Sequence, residues 1–169
     1  MSSAEARDEP PPTAAPARDL GTTFLREIEE QPSALLRLVE RSAAFERVAA
    51  EIVERGATTI RMVGHGSSDN AASYGVYAFG LLPRWTALRD SISLTVYYGA
   101  ELDMAGSTVL ALSQSGRTPD VVTYAERARR AGAFTVALTN DPASALATTC
   151  DAVLPLEAGP EQAVAATKT

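Results

Sequence analysis

The spacing of apolar residues changes near Gly56. Before Gly56, apolar residues recur at helical spacing, which predicts a helix over residues 23–31 and a longer helix that Pro32 opens and Gly56 ends. After Gly56, short apolar runs alternate with longer stretches at helical spacing. Such alternation predicts an α/β domain of three layers, αβα, in which helices cover both faces of a mostly parallel sheet.

Short apolar runs are predicted to form the strands of this sheet. They span residues 59–63, 94–98, 107–112, 134–138 and 152–154. Tyr97 and Tyr98 would then be ordinary strand residues. Helices are predicted between the strands, over residues 69–82, 119–131 and 143–148.

The composition divides the chain into parts. Residues 1–20 are rich in proline, alanine and charge. Such a stretch cannot bury enough apolar surface to offset the entropy of ordering, so it is a predicted disordered tail. Residues 21–56 form the predicted helical segment, and residues 57–169 form the α/β domain.

Polar loops follow the first and third predicted strands. One loop is Gly64-His65-Gly66-Ser67-Ser68, and the other is Ser113-Gln114-Ser115-Gly116-Arg117. After the second loop, Thr118 is a predicted N-cap, Pro119 suits the first helical position and Asp120 faces the positive end of the helix dipole. Hydroxyls and free backbone N–H groups at a helix start can hold a phosphate. Because ligands bind beyond the carboxyl ends of parallel strands, we expect both loops to converge on one site.

Net charge and cysteine content limit the possible partners. The chain has 15 basic and 21 acidic side chains, and the net charge of −6 argues against nucleic acid or an anionic membrane as the main partner. Cys150 is the single cysteine, which we expect to be buried packing, so neither a disulfide nor a thiolate metal cluster is predicted. No metal or cofactor is expected. No apolar run reaches the ~18 residues of a membrane helix and no secretion signal is present, so the expected location is cytoplasmic.

The residues of these loops resemble the SIS (sugar isomerase) domain family. Residues 113–118 resemble its Ser-Gln-Ser-Gly-Glu-Thr loop, and Gly66-Ser67-Ser68 looks like its Gly-Thr-Ser turn. Residues 159–168 are similar to its Gly-Pro-Glu-x-x-Val-Ala-Ser-Thr-Lys segment. Residues 27–32 resemble the helix that opens the isomerase half of glutamine–fructose-6-phosphate aminotransferases. The chain is therefore expected to be the first SIS domain of such an aminotransferase, or of a sugar-phosphate deaminase–isomerase.

The resemblance implies a flavodoxin-like, five-stranded parallel sheet that binds a phosphorylated sugar, such as a ketose or amino-sugar 6-phosphate. Glucosamine 6-phosphate is one such ligand. The implied binding residues are Ser67, Ser68, Ser113, Gln114, Ser115 and Thr118, together with the backbone of Val164 and Ala165. The alternative is that these serines only cap helices.

Departures from the family pattern leave several roles open. Arg117 replaces a Glu, and it either adds a cation near the phosphate or faces solvent. Ala166 replaces a Ser, which favours a deaminase–isomerase over the glucosamine-forming enzyme. His65 replaces a Cys and either serves as an acid or base or packs beneath its turn. Glu161 either lines the pocket or is an exposed loop carboxylate, so the catalytic residues stay unknown, with Glu161 and His65 as candidates.

The resemblance also implies missing parts. The family's base Glu, ring-opening His and C-terminal Lys lie in a second SIS domain, and the aminotransferase's glutaminase half has an amino-terminal Cys where this chain begins Met1-Ser2. We therefore expect a truncated chain that lacks the catalytic base. SIS domains pair, so a homodimer or pairing with a second SIS domain is expected, through helices within residues 35–53 and 72–82.

Other function classes stay open at this point. A non-catalytic SIS domain that senses a sugar phosphate in a regulator would use the same pocket without a base. A dinucleotide site is the third possibility, because Gly64-His65-Gly66 begins that fingerprint, but Asp69 stands where its third Gly belongs.

Overall fold

The computed structural model describes residues 20–163 and Lys168. The predicted tail, residues 1–20, therefore lies outside the described residues except for Leu20. The helices are α1 (Leu20–Glu29), α2 (Gln31–Glu40), α3 (Ser42–Glu54), α4 (Ser67–Leu81), α5 (Ile92–Val96), α6 (Pro119–Arg130) and α7 (Ala145–Thr149). The strands are β1 (Thr59–Val63), β2 (Thr86–Arg89), β3 (Ser107–Leu112), β4 (Phe134–Thr139) and β5 (Ala152–Pro155).

The strands form one five-stranded sheet in the order β2-β1-β3-β4-β5. Every pairing is parallel, with Thr59 opposite Ser107 between β1 and β3, and Val109 opposite Thr135 between β3 and β4. The central strands are almost continuously apolar because helices cover both of their faces. The predicted three-layer α/β fold is confirmed.

Alternate strand residues build separate cores on the two faces of the sheet. Val109 and Ala111 face a cluster with α5, α6 and α7, in which Tyr124 is fully buried. Leu110 of the same strand and Ile60 of β1 face a second cluster with α3 and α4. Cys150 is buried in the first cluster, as predicted, and burial raises the pKa of its thiol to about 11. This packing fixes the carboxyl ends of β1 and β3 beside each other.

The predicted second strand, residues 94–98, is wrong. The strand that pairs with β1 is Thr86–Arg89, whereas residues 94–98 belong largely to helix α5. Ser91 caps α5 through its side chain, and Ile92 and Thr95 are buried at helical spacing. Tyr97 and Tyr98 are therefore exposed at the end of a helix and are not strand residues. An edge strand buries only part of its surface, so β2 carries little of the apolar signal of a central strand.

The helix predicted from Pro32 to Gly56 is two helices. Helix α2 ends at Glu40, and α3 begins at Ser42 after a break at Arg41. Arg41 donates its backbone N–H to the Leu38 carbonyl at 3.1 Å, which tightens the last turn of α2. Neither a glycine nor a proline marks this break in the sequence.

Candidate functional site

The loop after β3 is built around a pair of hydroxyls. Ser113 is only 4% exposed, and its Oγ lies 3.0 Å from the Thr118 Oγ1. The Gly116 N–H donates to the Ser113 carbonyl at 3.0 Å and closes the turn between them. Thr118 occupies the predicted N-cap of α6, but its hydroxyl makes no cap bond. The two hydroxyls therefore face one another at the positive end of α6.

Gly116 fixes the course of this loop against α7. Its φ is +63°, and a Cβ at this position would lie 2.0 Å from the Ser144 Oγ and 2.7 Å from the Thr139 Oγ1. The Gly116 carbonyl accepts from the Leu146 N–H at 3.0 Å. Only glycine has both the backbone freedom and the absence of a side chain that this approach requires.

The loop after β4 also supports the loop after β3. The Gln114 carbonyl accepts from the Asn140 N–H at 2.9 Å and from the Thr139 hydroxyl at 3.2 Å. Ser115 is exposed, and its Oγ accepts from the Arg117 N–H at 3.3 Å. The backbone of the loop is thus held from several sides, while Ser115 faces solvent.

The loop after β1 is more open. Gly66 is the N-cap of α4 with a φ of +60°, and no side chain of the described residues caps that helix start. Gly64 approaches the first turn of α4 closely, because a Cβ there would lie 2.9 Å from the Ser68 Cβ. Ser67 is exposed and Ser68 is half-buried. At this helix start the Asp69 N–H donates to the Gly66 carbonyl at 3.1 Å.

Both loops border one cavity at the carboxyl edge of the sheet. Its volume is about 150 Å³, and its lining combines serines and an amide with apolar side chains: Ser67, Ser68, Ala71, Leu112, Ser113, Gln114, Leu138 and Leu156. Four of the predicted binding residues, Ser67, Ser68, Ser113 and Gln114, are thus brought together. Ser115 and Thr118 are not part of this lining, although Thr118 contacts Ser113. The two loops therefore meet at this edge of the sheet, as expected, and their binding role stays a prediction.

His65 lies apart from this cavity. It lines a neighbouring cavity of about 350 Å³, together with Asp69, Arg89 and Asp90. The His65 side chain is 51% exposed, and its Nε2 lies 3.4 Å from the Asp120 Oδ2. His65 is therefore not packed beneath its turn.

Asp120 is shared between His65 and Tyr97. The Tyr97 hydroxyl donates to the same Asp120 oxygen, and this hydrogen bond raises the pKa of Tyr97. Asp120 belongs to the first turn of α6, whereas His65 follows β1. The carboxylate therefore joins the two loops at the protein surface.

Of the remaining candidate residues, Arg117 is exposed to solvent and Glu161 lies in the segment after β5. Arg117 is 76% exposed and its Nη2 lies 3.2 Å from the Asp141 Oδ2, so of its two alternatives the solvent-facing one is observed. Glu161 is half-buried and its Oε1 accepts from the Lys168 N–H at 2.7 Å. Val164 and Ala165, the remaining predicted binding residues, lie outside the described residues.

Sequence reasoning missed part of the site. Leu138 and Leu156 form apolar walls of the cavity, and Asn140 supports the Gln114 carbonyl. Asn140 follows β4 as the polar loops follow β1 and β3, which is the signal that could have identified it. Leu156 follows an edge strand and carries no such signal.

Residues 20–163 and Lys168 offer neither a metal cluster nor a membrane span. No cluster of three or more histidine, cysteine or carboxylate side chains that could hold a metal ion occurs there. Within the same part of the chain, no helix has the length and apolar character needed to cross a bilayer.

The model of the SIS domain matches residues 55–169, which include both loops and the cavity between them. The chain belongs to the SIS domain family. A glutamine–fructose-6-phosphate aminotransferase of Aeropyrum pernix is 36% identical over 149 residues, which cover 86% of this chain and 24% of that protein. The SIS chain thus spans about a quarter of the length of this curated relative.

Two solved structures have a fold similar to that of this chain. A candidate phosphosugar isomerase from Silicibacter pomeroyi DSS-3 matches with a TM-score of 0.81 at 40% identity, over 86% of this chain and 45% of that chain. The C-terminal domain of a glucosamine-fructose-6-phosphate aminotransferase from Francisella tularensis matches with a TM-score of 0.77 at 27% identity. That match covers 86% of this chain and 42% of the other.

Proposed function

We propose that this SIS domain binds a phosphorylated sugar, a ketose or amino-sugar 6-phosphate, as the first SIS domain of a sugar-phosphate isomerase, aminotransferase or deaminase. The observation that carries the proposal is the single cavity that the loops after β1 and β3 border together. The lining of the cavity itself is largely apolar, and the serines and helix starts at its border supply donors suited to a phosphate dianion. The net charge of −6 does not exclude phosphate binding, because hydroxyl and backbone N–H donors act on the phosphate at hydrogen-bond distance.

The chemistry of each predicted binding residue suits it to one part of the ligand, the phosphate or the sugar. Ser67, Ser68, Ser113, Ser115 and Thr118 supply hydroxyls for the phosphate. Gln114 adds an amide, and the backbone of Val164 and Ala165 is assigned to the sugar by the family resemblance. The apolar walls at Leu138 and Leu156 suit the carbon skeleton of the sugar.

Turnover needs more than this anchor. Exchange between an aldose and a ketose requires a base between adjacent carbons and an acid that opens the ring. Within residues 20–163, His65 beside Asp120 and the half-buried Glu161 are the candidate groups. We assign the proton transfers to a second SIS domain of the complete enzyme, and the anchoring of the phosphate to this one.

The exposed apolar side chains suit pairing with another SIS domain. Tyr74, Tyr77 and Leu81 of α4 are each at least 70% exposed, and Leu35 and Leu36 of α2 are more than half exposed. Such an area on one molecule is typical of an interface. We propose that a second SIS domain or a second copy of this chain covers α4. If a second copy covers α4, sedimentation of a Tyr74→Arg/Tyr77→Arg variant should show a smaller species than the parent chain, and an unchanged species contradicts that arm and leaves the second SIS domain.

Calorimetric titration tests the proposed ligand. Fructose 6-phosphate and glucosamine 6-phosphate should bind, and unphosphorylated fructose should not. Ser115→Ala and Thr118→Val should each lower affinity about threefold to tenfold, because one hydrogen bond contributes about 0.5–1.5 kcal/mol. Ser33→Ala, at an exposed serine on α2, is the matched control and should leave affinity unchanged.

The same titration can overturn the proposal. Unchanged affinity in both the Ser115 and the Thr118 variants removes these loops as the phosphate site. Tight binding without turnover by the full-length protein would favour the sensor function over the enzyme.

A further inference from the structure

A segment after β5 crosses the carboxyl edge of the sheet and supplies one wall of the cavity. We call residues 156–163 the strap. Its first residue, Leu156, lines the cavity beside the serines and donates its N–H to the Thr139 carbonyl at 3.0 Å. Glu161, a candidate residue for the proposed function, lies near the other end of the strap. The position of the strap therefore affects the shape of the site.

Asn140 joins the strap to the loop after β3. Its side-chain nitrogen donates to the Gly159 carbonyl at 2.6 Å, and its side-chain oxygen accepts from the Ala158 N–H at 2.9 Å. Its backbone N–H donates to the Gln114 carbonyl at 2.9 Å. One residue thus fixes the strap relative to the loop that carries Ser113 and Ser115.

Helix α2 holds the middle of the strap. The Arg37 Nε donates to the Glu157 carbonyl at 2.9 Å, and its Nη2 donates to the Ala158 carbonyl at 3.3 Å. The guanidinium therefore satisfies two successive strap carbonyls that belong to no strand or helix.

Helix α1 holds the far end of the strap through a buried carboxylate. Glu27 is only 1% exposed, and its two oxygens accept from the Gln162 N–H at 2.6 Å and the Ala163 N–H at 3.1 Å. Lys168 reinforces this end, because its Nζ donates to the Glu30 Oε2 at 2.7 Å and to the Pro160 carbonyl at 2.6 Å. A buried carboxylate is costly unless it is hydrogen-bonded, so Glu27 strongly favours one position of these amides.

We propose that Glu27 is a positioning residue for sugar recognition, which makes the amino-terminal helices part of the ligand site. This inference rests on the proposed function. Glu27 touches no ligand in it; it sets the far end of the strap and with it the place of Glu161, whereas Leu156 at the near end is held by β4. The serine loops, by contrast, are held by β3, β4 and their own hydrogen bonds. Glu27 should therefore affect the sugar part of the ligand and not the phosphate part.

The test compares Glu27→Gln with Glu29→Gln, an exposed carboxylate on the same helix. Gln keeps the shape of Glu27 but presents an NH₂ group to one of the two amide donors. Titration with fructose 6-phosphate should show a loss of affinity of about tenfold or more in Glu27→Gln and none in Glu29→Gln. Titration with inorganic phosphate should give the same affinity in both variants and in the parent.

A purely structural role would weaken both ligands equally, and that result overturns the inference. Unchanged binding of fructose 6-phosphate by Glu27→Gln also overturns it while leaving the proposed function intact. Failure of the parent chain to bind either ligand instead overturns the proposed function. If Glu27→Gln does not fold, Arg37→Gln carries the test, because it removes the guanidinium bonds to the Glu157 and Ala158 carbonyls and places no negative charge beside the loop after β3. It should show the same selective loss for the sugar phosphate.

Discussion

The two loops that border the cavity differ in how firmly the rest of the protein holds them. The loop after β3 has a buried glycine against α7, a hydroxyl pair of which Ser113 is buried, and a carbonyl that accepts from Asn140. Neither loop caps its helix with a side chain, but in the loop after β1 Gly66 has open space where Gly116 is crowded. One side of the same site is therefore preorganised, and the other is free to adjust.

Because the two loops differ in this way, we expect them to contribute differently to ligand binding. Groups already fixed in the bound geometry lose little entropy when a ligand arrives, so donors of the β3 loop should contribute most of the affinity. Groups such as Ser67, exposed at an uncapped helix start, must be ordered on binding and exchange water for the ligand. A flexible side of the site can in turn accept sugars of different shape.

The largest expected effect comes from the glycines of the two loops. Gly116→Ala should lower the free energy of unfolding by about 2–5 kcal/mol, because it adds strain at positive φ to a clash with Ser144. Gly66→Ala meets no atom within 4 Å and adds only the backbone strain of a φ of +60° with a ψ of −127°, so the loss should be about 1–3 kcal/mol and smaller than that of Gly116→Ala. Urea denaturation measures both. Equal losses would mean that the two loops are equally constrained.

The second prediction concerns ligand affinity. Ser113→Ala removes a buried hydroxyl and leaves Thr118 without its partner at 3.0 Å, so the affinity for fructose 6-phosphate should fall about tenfold, or about 1.4 kcal/mol. Ser67→Ala removes an exposed hydroxyl and should cost about threefold or less. Titration calorimetry of both variants gives the ratio. A larger loss in the Ser67 variant would reverse the assignment of the preorganised side.

Much of the fold was predictable because buried parallel strands have a strong signal. The strands β1 and β3 were predicted with the observed bounds, and β4 and β5 to within one residue, since each is apolar and followed by a polar loop. Strand β2 was missed because an edge strand is half-exposed and carries a weak apolar signal. The more apolar residues 94–98 were predicted as the strand instead. In the structure Ile92 and Thr95 are buried at helical spacing. A short apolar run does not distinguish such a helix from a strand.

The site was predictable only where its residues are local in sequence. The serines follow their strands directly, so topology alone brings Ser68 and Ser113 to one edge. The strap contacts are not local: Glu27 bonds residues 135 and 136 positions away. A carboxylate on an amphipathic helix looks like a solvated charge in the sequence, and only packing shows that Glu27 is buried.

A third prediction compares tyrosines that both donate to aspartates. Tyr124 of α6 is fully buried and donates to the Asp90 Oδ2 at 2.6 Å, the oxygen that also contacts Arg61 of β1. Burial raises the pKa of Tyr124 far above its usual range, so it stays a neutral donor. Tyr124→Phe should lower the free energy of unfolding by about 1 kcal/mol. Tyr97→Phe removes an exposed donor and should have a clearly smaller effect; denaturation of both variants measures the difference. Equal effects would mean that burial does not distinguish the two bonds.

The smallest expected effect tests the link between the two loops at Asp120. The hydrogen bond to Asp120 raises the pKa of the Tyr97 hydroxyl above its ordinary value of 10.0. A group whose pKa is raised by folding stabilises the protein below its unfolded pKa, and this stabilisation is lost as pH rises through the folded pKa. Tyr97→Phe and the parent should therefore differ by a constant amount at neutral pH and converge above about pH 10. Asp120→Asn should return the Tyr97 phenol toward its ordinary pKa in an ultraviolet titration, with Tyr97→Phe as the blank. An unchanged titration would mean that Tyr97 and Asp120 do not pair.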